Sequence, residues 1–194
     1  MGDRFDVLIV GAGAAGMMCA VEAGRRGRRV LIVDHAQAPG EKIRISGGGR
    51  CNFTNLAAGP HAMLGENPRF ATSALKRFSQ RDFIARVDAA GIAWHEKTLG
   101  QLFCDGSAKQ IIALLTSQMA EADVRLRLGV GVTEVARQGD AFRARLSDGS
   151  GVEVASLVLA TGGKSIPKMG ATGWSYETAK AFGLRVTETR PALV

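Results

Sequence analysis

The residues that could carry chemistry in this chain are mostly glycines with polar side chains beside them. Gly11-Ala12-Gly13-Ala14-Ala15-Gly16 has the spacing G-x-G-x-x-G. In such a turn the first glycine allows the tight bend and the second lets a pyrophosphate reach the backbone. The third lets helix and strand pack closely. The pyrophosphate then rests on free N–H groups at the positive end of a helix. Asp34 follows 18 residues after Gly16, where a carboxylate can accept hydrogen bonds from both hydroxyls of an adenosine ribose. An acid there disfavours a 2′-phosphate, so FAD or NAD is expected in preference to NADP. His35, next in sequence, either flanks the adenosine or occupies a surface turn.

A second cluster runs from Lys42 to Asn55 and reads KIRISGGGRCNFTN. Gly47, Gly48 and Gly49 cannot sustain a regular helix or strand. They can present successive backbone N–H groups to an anionic or planar ligand, and Lys42, Ser46, Arg50 and Asn52 place side-chain donors around them. A plain surface loop would not need so varied a set. Cys51 beside Arg50 offers a thiol whose pKa the guanidinium could lower. No resolving cysteine is near it, which favours a small residue packed against the loop. Cys19, Cys51 and Cys104 are far apart and form no CxxC, so no metal site is expected and a reduced, cytoplasmic setting fits. No catalytic acid or base stands out. His95 reads as packing, Asp105 and Lys109 as a surface pair at a helix start, and Trp174 and Tyr176 as either core or substrate-facing.

The elements that must position these residues follow from the apolar pattern. Phe5 to Val10 and Arg29 to Val33 read as buried parallel strands with a helix over Ala14 to Arg26 between them. Residues 35–68 read as a long loop, which in a compact domain is usually functional. A helix is expected over Ser73 to Ala89, then short strands at Ile92 to His95 and Gln101 to Cys104. A helix capped by Ser107 should run to about Ala122. Val124 to Leu128 reads as a third parallel strand. Gly131 to Ala136, Ala141 to Leu146 and Gly151 to Val154 read as an antiparallel meander within about 131–154. Ser156 to Ala160 reads as another buried strand entering Thr161-Gly162-Gly163. A last helix over Tyr176 to Phe182 and a strand at Leu184 to Val186 close the chain. The fold class expected is α/β, a Rossmann-like doubly wound parallel sheet with a small antiparallel β-meander.

Glycine is in excess, 25 in 194 residues, against a usual share of about 7%. The net charge of +7 favours anionic partners, but the basic residues are scattered. The densest group, Arg25, Arg26, Arg28 and Arg29, sits where a helix C-terminus attracts cations anyway. No nucleic-acid partner is therefore expected. No apolar run is long enough to span a bilayer. The N-terminus, Met1-Gly2-Asp3, carries acid and leads into no signal-peptide core, so no membrane association is expected.

The two glycine clusters together resemble the HI0933-like family of FAD-dependent oxidoreductases, which includes a bile-acid reductase group. That family carries the N-terminal G-x-G-x-x-G and a KxxxSGGGRCNxTN signature, both present here. It also carries a strand ending in ATGG followed by Ser-x-Pro, matched by Ala160-Thr161-Gly162-Gly163-Lys164-Ser165-Ile166-Pro167. The resemblance implies FAD as cofactor, with Gly11 to Gly16 on its pyrophosphate and Asp34 on its ribose. Lys42 and the loop Ser46 to Asn52 (Gly47, Gly48, Gly49, Arg50 and Cys51 between them) would run along the pyrophosphate, ribityl chain and flavin. Val132 would meet the adenine through its backbone, and Thr161, Gly162 and Gly163 would close over the cofactor.

Two places depart from the family pattern. Gly100-Gln101-Leu102-Phe103-Cys104 stands where Gly-Arg-x-Phe-Pro is usual, and Gly173-Trp174-Ser175 where Gly-Asp-Gly is usual. Family members are about twice as long, continuing past Arg190-Pro191-Ala192-Leu193-Val194 into a substrate-side domain and a segment that contacts the flavin. The chain thus reads as one FAD-binding domain over 1–194, incomplete and inclined to hold FAD weakly. The implied activity passes hydride from NAD(P)H, bound transiently, through FAD to an unsaturated small-molecule substrate. A non-catalytic dinucleotide-binding module and a basic nucleic-acid-binding protein are the alternatives. The sequence sets no oligomeric state.

Overall fold

A computed structural model describes residues 4–166 and 170–190. Pro167 of the Ser-x-Pro segment, the terminal Met1-Gly2-Asp3 and Pro191 to Val194 lie outside the described residues. In chain order the elements are β1 (Val7–Val10), α1 (Ala14–Arg25), β2 (Val30–Asp34), α2 (Glu41–Ile45) and β3 (Asn52–Asn55). Next come α3 (Thr72–Arg77), α4 (Gln80–Ala89), β4 (Trp94–Glu96), β5 (Gln101–Cys104), α5 (Lys109–Glu121) and β6 (Arg125–Leu128). The last are β7 (Val132–Gln138), β8 (Ala141–Leu146), β9 (Gly151–Val154), β10 (Ser156–Leu159) and α6 (Trp174–Ala181). The chain forms two compact units, one of residues 1–41 and 115–194, the other of residues 42–114.

The first unit holds a parallel sheet in the order β10-β1-β2-β6. Its inner strands are apolar on both faces, as a sheet covered on both sides requires. Leu8, Val10, Leu31 and Val33 pack against Ala144, Leu146, Val152 and Val154 of the antiparallel meander β7-β8-β9. Ile9 and Ile32 point the other way and are fully buried, as are Met17, Ala20 and Val21 of α1, which packs on β1 and β2. At about 25 cal/mol per Å² of apolar surface, each such aliphatic side chain contributes on the order of 2 kcal/mol. The α/β class, the parallel sheet and the meander are those expected from the sequence.

The second unit is built around the antiparallel sheet β3-β5-β4, with Val87 of α4 and Leu102 of β5 fully buried. Several local expectations need correction here. Residues 35–68 are not structureless, because they contain α2, a short 3₁₀ turn at Ser46–Gly49 and the strand β3. The helix expected over Ser73 to Ala89 is two helices. Ser79 breaks it by capping α4: its side chain accepts the Asp82 N–H, and the Asp82 carboxylate accepts the Ser79 N–H at 2.6 Å, a reciprocal capping box.

In the first unit, the strand expected at Leu184 to Val186 does not form. The Leu184 N–H donates to Ala179 O at 3.0 Å and the Gly183 N–H to Lys180 O at 2.8 Å, with Gly183 at φ +76. That is the Schellman termination of α6, and it uses the backbone donors a strand would need.

Candidate functional site

The glycine-rich turn after β1 is fixed by close approach. Gly11 has φ +109, and a Cβ on it would fall 2.5 Å from Ala160 O. A Cβ on Gly16 would fall 1.8 Å from Gly11 O, so nothing larger than glycine lets α1 start this near the turn. Gly13 differs. It is extended at φ −83 and ψ −174, and its missing Cβ faces open space with nothing within 4 Å. No side chain caps α1, and Ala14 and Ala15 are exposed in its first turn. The first N–H groups of α1 therefore keep no side-chain partner, which is the condition for an anion to take them.

Asp34 ends β2 beside this turn. Its Oδ2 accepts the Ala12 N–H at 2.7 Å and its Oδ1 accepts the Ala36 N–H at 2.9 Å. An ionised carboxylate has about four acceptor positions, so each oxygen keeps one for a ribose hydroxyl while bracing the turn. His35 Nδ1 is 3.4 Å from Asp34 Oδ1, and the ring is exposed.

A cavity of about 510 Å³ opens at this end of the sheet. Gly11, Asp34, His35, Val132 and Thr161 line it, so the structure brings these expected residues together. Gly162 and Gly163 follow Thr161; a Cβ on Gly163 would stand 3.1 Å from the Tyr176 hydroxyl. Val130 and Thr172, which no sequence feature singled out, also line the cavity, as does Trp174, whose two readings were core and substrate-facing. Gly170 lines the cavity as well. It has φ +75, and a Cβ there would sit 2.4 Å from His35 Nε2.

The remaining expected residues are in the second unit. Lys42 lies in α2 and Ser46 closes that helix, donating its hydroxyl to Ile43 O at 2.8 Å. Gly47, Gly48 and Gly49 all have positive φ, as does Cys51 at φ +54. The loop is held from one side only. A Cβ on Gly47 would strike the Phe103 ring at 2.6 Å, while the Ala108 N–H reaches Gly49 O at 2.7 Å and the Cys104 N–H reaches Arg50 O at 3.0 Å. Gly48 and Gly49 face open space, and Arg50 and Asn52 are exposed. The loop thus leaves backbone at Gly48 and Gly49 and two exposed donor side chains open to a ligand.

The favoured reading of Cys51 as a small packed residue holds, while two other sequence readings change. Cys51 is buried, and burial raises its thiol pKa although the Ser46 hydroxyl offsets part of the shift. Arg50 does not activate it. Cys51 also has a thiol neighbour, since it lies next to Asn52, which opposes Phe103 across β3 and β5, and acts electrostatically on Cys104. Burial, then Cys51 and Asp105, push the Cys104 thiol to about 11. Asp105 pairs with His95 Nδ1 at 2.6 Å rather than with Lys109, and the His95 ring stacks on Phe103 at 6.2 Å between centroids. Among the described residues no cluster of His, Cys, Asp and Glu could hold a metal, and no helix is long and apolar enough to cross a membrane.

The model of the HI0933-like protein Rossmann domain matches residues 5–190. The chain belongs to this family. It is 53% identical over 192 residues to a protein of Escherichia coli named ribosomal RNA dihydrouridine synthase, covering 99% of this chain and 48% of that one. A protein of the same name from Haemophilus influenzae is 41% identical over 190 residues, covering 96% and 47%. A 3-dehydro-bile acid delta(4,6)-reductase of Clostridium scindens is 30% identical over 190 residues, covering 96% and 46%. The chain thus spans about half the length of these relatives. Among solved structures, halogenase PltM in complex with phloroglucinol and FAD has a TM-score of 0.53 at 20% identity, over 96% of this chain and 38% of that one. A Diels-Alderase of pyrroindomycin biosynthesis has a TM-score of 0.55 at 21% identity, over 86% and 34%. These two likenesses concern the fold.

Proposed function

We propose that the chain is the FAD-binding part of a flavin-dependent reductase that saturates an activated carbon–carbon double bond, with a uridine of ribosomal RNA as the substrate. The observation that carries the flavin reading is the cavity at the end of the parallel sheet. An uncapped helix start, an open-faced Gly13 and a carboxylate with acceptor positions to spare stand together there. These suit a pyrophosphate joined to an adenosine ribose. Gly11 to Gly16 would hold the pyrophosphate and Asp34 the ribose. Val132 and His35 would border the adenine, with Thr161, Gly162 and Gly163 beside them. Lys42, Ser46, Gly47, Gly48, Gly49, Arg50, Cys51 and Asn52 would line the rest of the cofactor. All of these residues are proposed here as one FAD-binding domain.

Bound FAD would supply a two-electron hydride carrier, while the protein positions and tunes it. The substrate class draws on the relatives' names. A dihydrouridine is a uridine with one ring double bond saturated, and a delta(4,6)-reductase likewise removes conjugated unsaturation. NAD(P)H is the proposed donor, at a transient site, because the sequence contains a single G-x-G-x-x-G. In balance, NAD(P)H and one proton convert the double bond to a CH–CH single bond and leave NAD(P)⁺. Ribosomal RNA as substrate departs from the expectation of no nucleic-acid partner, and the +7 charge supports the departure. The test adds NADH or NADPH anaerobically to the FAD-loaded protein, then a ribosomal RNA fragment. Bleaching of the flavin, its recovery on adding RNA, and a uridine heavier by two hydrogens support the proposal. A flavin that bleaches but returns only with a steroid dienone would overturn the RNA substrate.

A further inference from the structure

Charge is divided unequally between the two units. Residues 42–114 hold ten Lys and Arg against five Asp and Glu, so +5 of the chain's +7 lies there. Within that unit no Asp or Glu occurs from Asn67 to Arg81, whereas Arg69, Lys76, Arg77 and Arg81 do. All four are exposed. Among the described residues none of them pairs with a carboxylate. The arginines at the end of α1 contrast with them, since Arg25, Arg26 and Arg29 are engaged by Glu121, Glu22 and Asp6.

The same stretch leaves an aromatic ring uncovered. Phe70 is 85% exposed beside Arg69, and Leu64, six residues earlier, is 96% exposed. Isolated exposed apolar residues are ordinary. An exposed phenyl ring in one short stretch with four unpaired, exposed cations is the combination that single-stranded nucleic acid uses, with bases stacking on the ring and phosphates meeting the cations. A membrane surface suits the segment less well. It would want a long helix with one apolar face, and α3 has only 6 residues.

We infer that residues 69–81 form a docking surface for single-stranded RNA, with Phe70 as a stacking platform and Arg69, Lys76, Arg77 and Arg81 as phosphate contacts. The surface belongs to one unit and uses none of the residues assigned to FAD. The inference rests on the proposed RNA substrate in taking RNA as the polyanion.

The test measures the affinity of the FAD-loaded chain for a labelled, uridine-rich single-stranded RNA at several salt concentrations, with FAD binding followed separately. Each lost phosphate contact should reduce the slope of log K against log salt by about 0.7, so Arg77→Gln with Arg81→Gln should reduce it by about 1.4. Phe70→Ala should weaken binding about 5- to 150-fold, the worth of one base–aromatic stack. Arg143→Gln with Arg145→Gln removes as much charge from the meander of the other unit and should leave the slope unchanged. FAD affinity should be the same in every variant. Wild-type binding that none of the segment variants weakens would overturn the docking surface and leave the RNA substrate standing. Absence of any RNA binding at low salt, with FAD still bound, would overturn both while leaving the flavin reading intact. Loss of binding to phosphatidylserine vesicles but not to RNA would overturn the inference in favour of a membrane surface.

Discussion

Replacing Gly13 by valine should abolish FAD binding and leave the fold nearly as stable as before, whereas Gly16→Ala should damage the fold itself. The two glycines are three residues apart in one motif, yet their surroundings are opposite. Gly13 is at φ −83 and ψ −174, a conformation open to any residue, and its Cβ direction is empty for 4 Å. Its protein-only cost is the loss of a tolerable N-cap, about 1 kcal/mol or less. For a chain of this size that lowers Tm by about 2–4 °C. The valine would fill the space through which a pyrophosphate reaches the first N–H groups of α1. Losing two hydrogen bonds to a charged ligand, at about 1.5–3 kcal/mol each, weakens binding about 10²- to 10⁴-fold.

Gly16→Ala places its Cβ 1.8 Å from Gly11 O and 3.3 Å from the Ala160 Cβ. Either α1 or the turn must move. Overpacking of this kind costs about 1–3 kcal/mol or more, lowering Tm by about 2–12 °C or more. Thermal unfolding without FAD and FAD titration by flavin fluorescence separate the two cases. If Gly13→Val binds FAD like the wild type, or Gly16→Ala keeps both its Tm and its FAD, the reading of the motif fails.

Three further outcomes follow from the same structure. Asp34→Asn should weaken FAD binding about 10- to 100-fold, because a neutral amide loses charge-assisted bonds to the ribose. Unchanged affinity in a titration would remove Asp34 from the site. Arg29, by its side chain and its backbone N–H, holds the Asp6 carboxyl at about 2 against an ordinary 3.8. The stabilisation is therefore full above about pH 4 and is lost as pH falls through about 2. Urea midpoints of wild type and Asp6→Asn should differ by a constant amount above about pH 5, draw together as pH falls through about 2 and converge by about pH 1; a gap undiminished at about pH 1 would contradict this. Cys104, raised from 9.0 to about 11, should alkylate about 100-fold more slowly than in the unfolded chain below pH 9. Mass spectrometry after timed iodoacetamide treatment reads this directly, and prompt labelling would rule out the buried thiol.

The parts of the fold that could be read in the sequence are those whose determinants are local. β1, the glycine turn, α1, β2 and Asp34 follow one another within 30 residues, and each leaves its own mark. The meander was visible through alternation and through Gly139 and Gly149 at its turns. β3 was hidden because Asn-Phe-Thr-Asn is not an apolar run; it becomes a strand by pairing with β5. The break between α3 and α4 depends on Ser79 and Asp82 capping each other, which the apolar spacing of Ser73 to Ala89 concealed. Cys51 with Cys104 and His95 with Asp105 are met only once β3, β5 and β4 pair. The expectation about Leu184 failed because apolar residues after a helix can serve its termination as well as a strand.

The account rests on this chain taking up FAD at the glycine turn, and FAD titration against the purified chain tests it most directly, with Gly13→Val alongside. The wild type should quench flavin fluorescence and acquire a flavin spectrum, weakly if residues beyond this half of the family's length add to the grip, while Gly13→Val should do neither. A chain that ignores FAD and binds NAD instead would contradict the account, as would FAD uptake equal in both proteins.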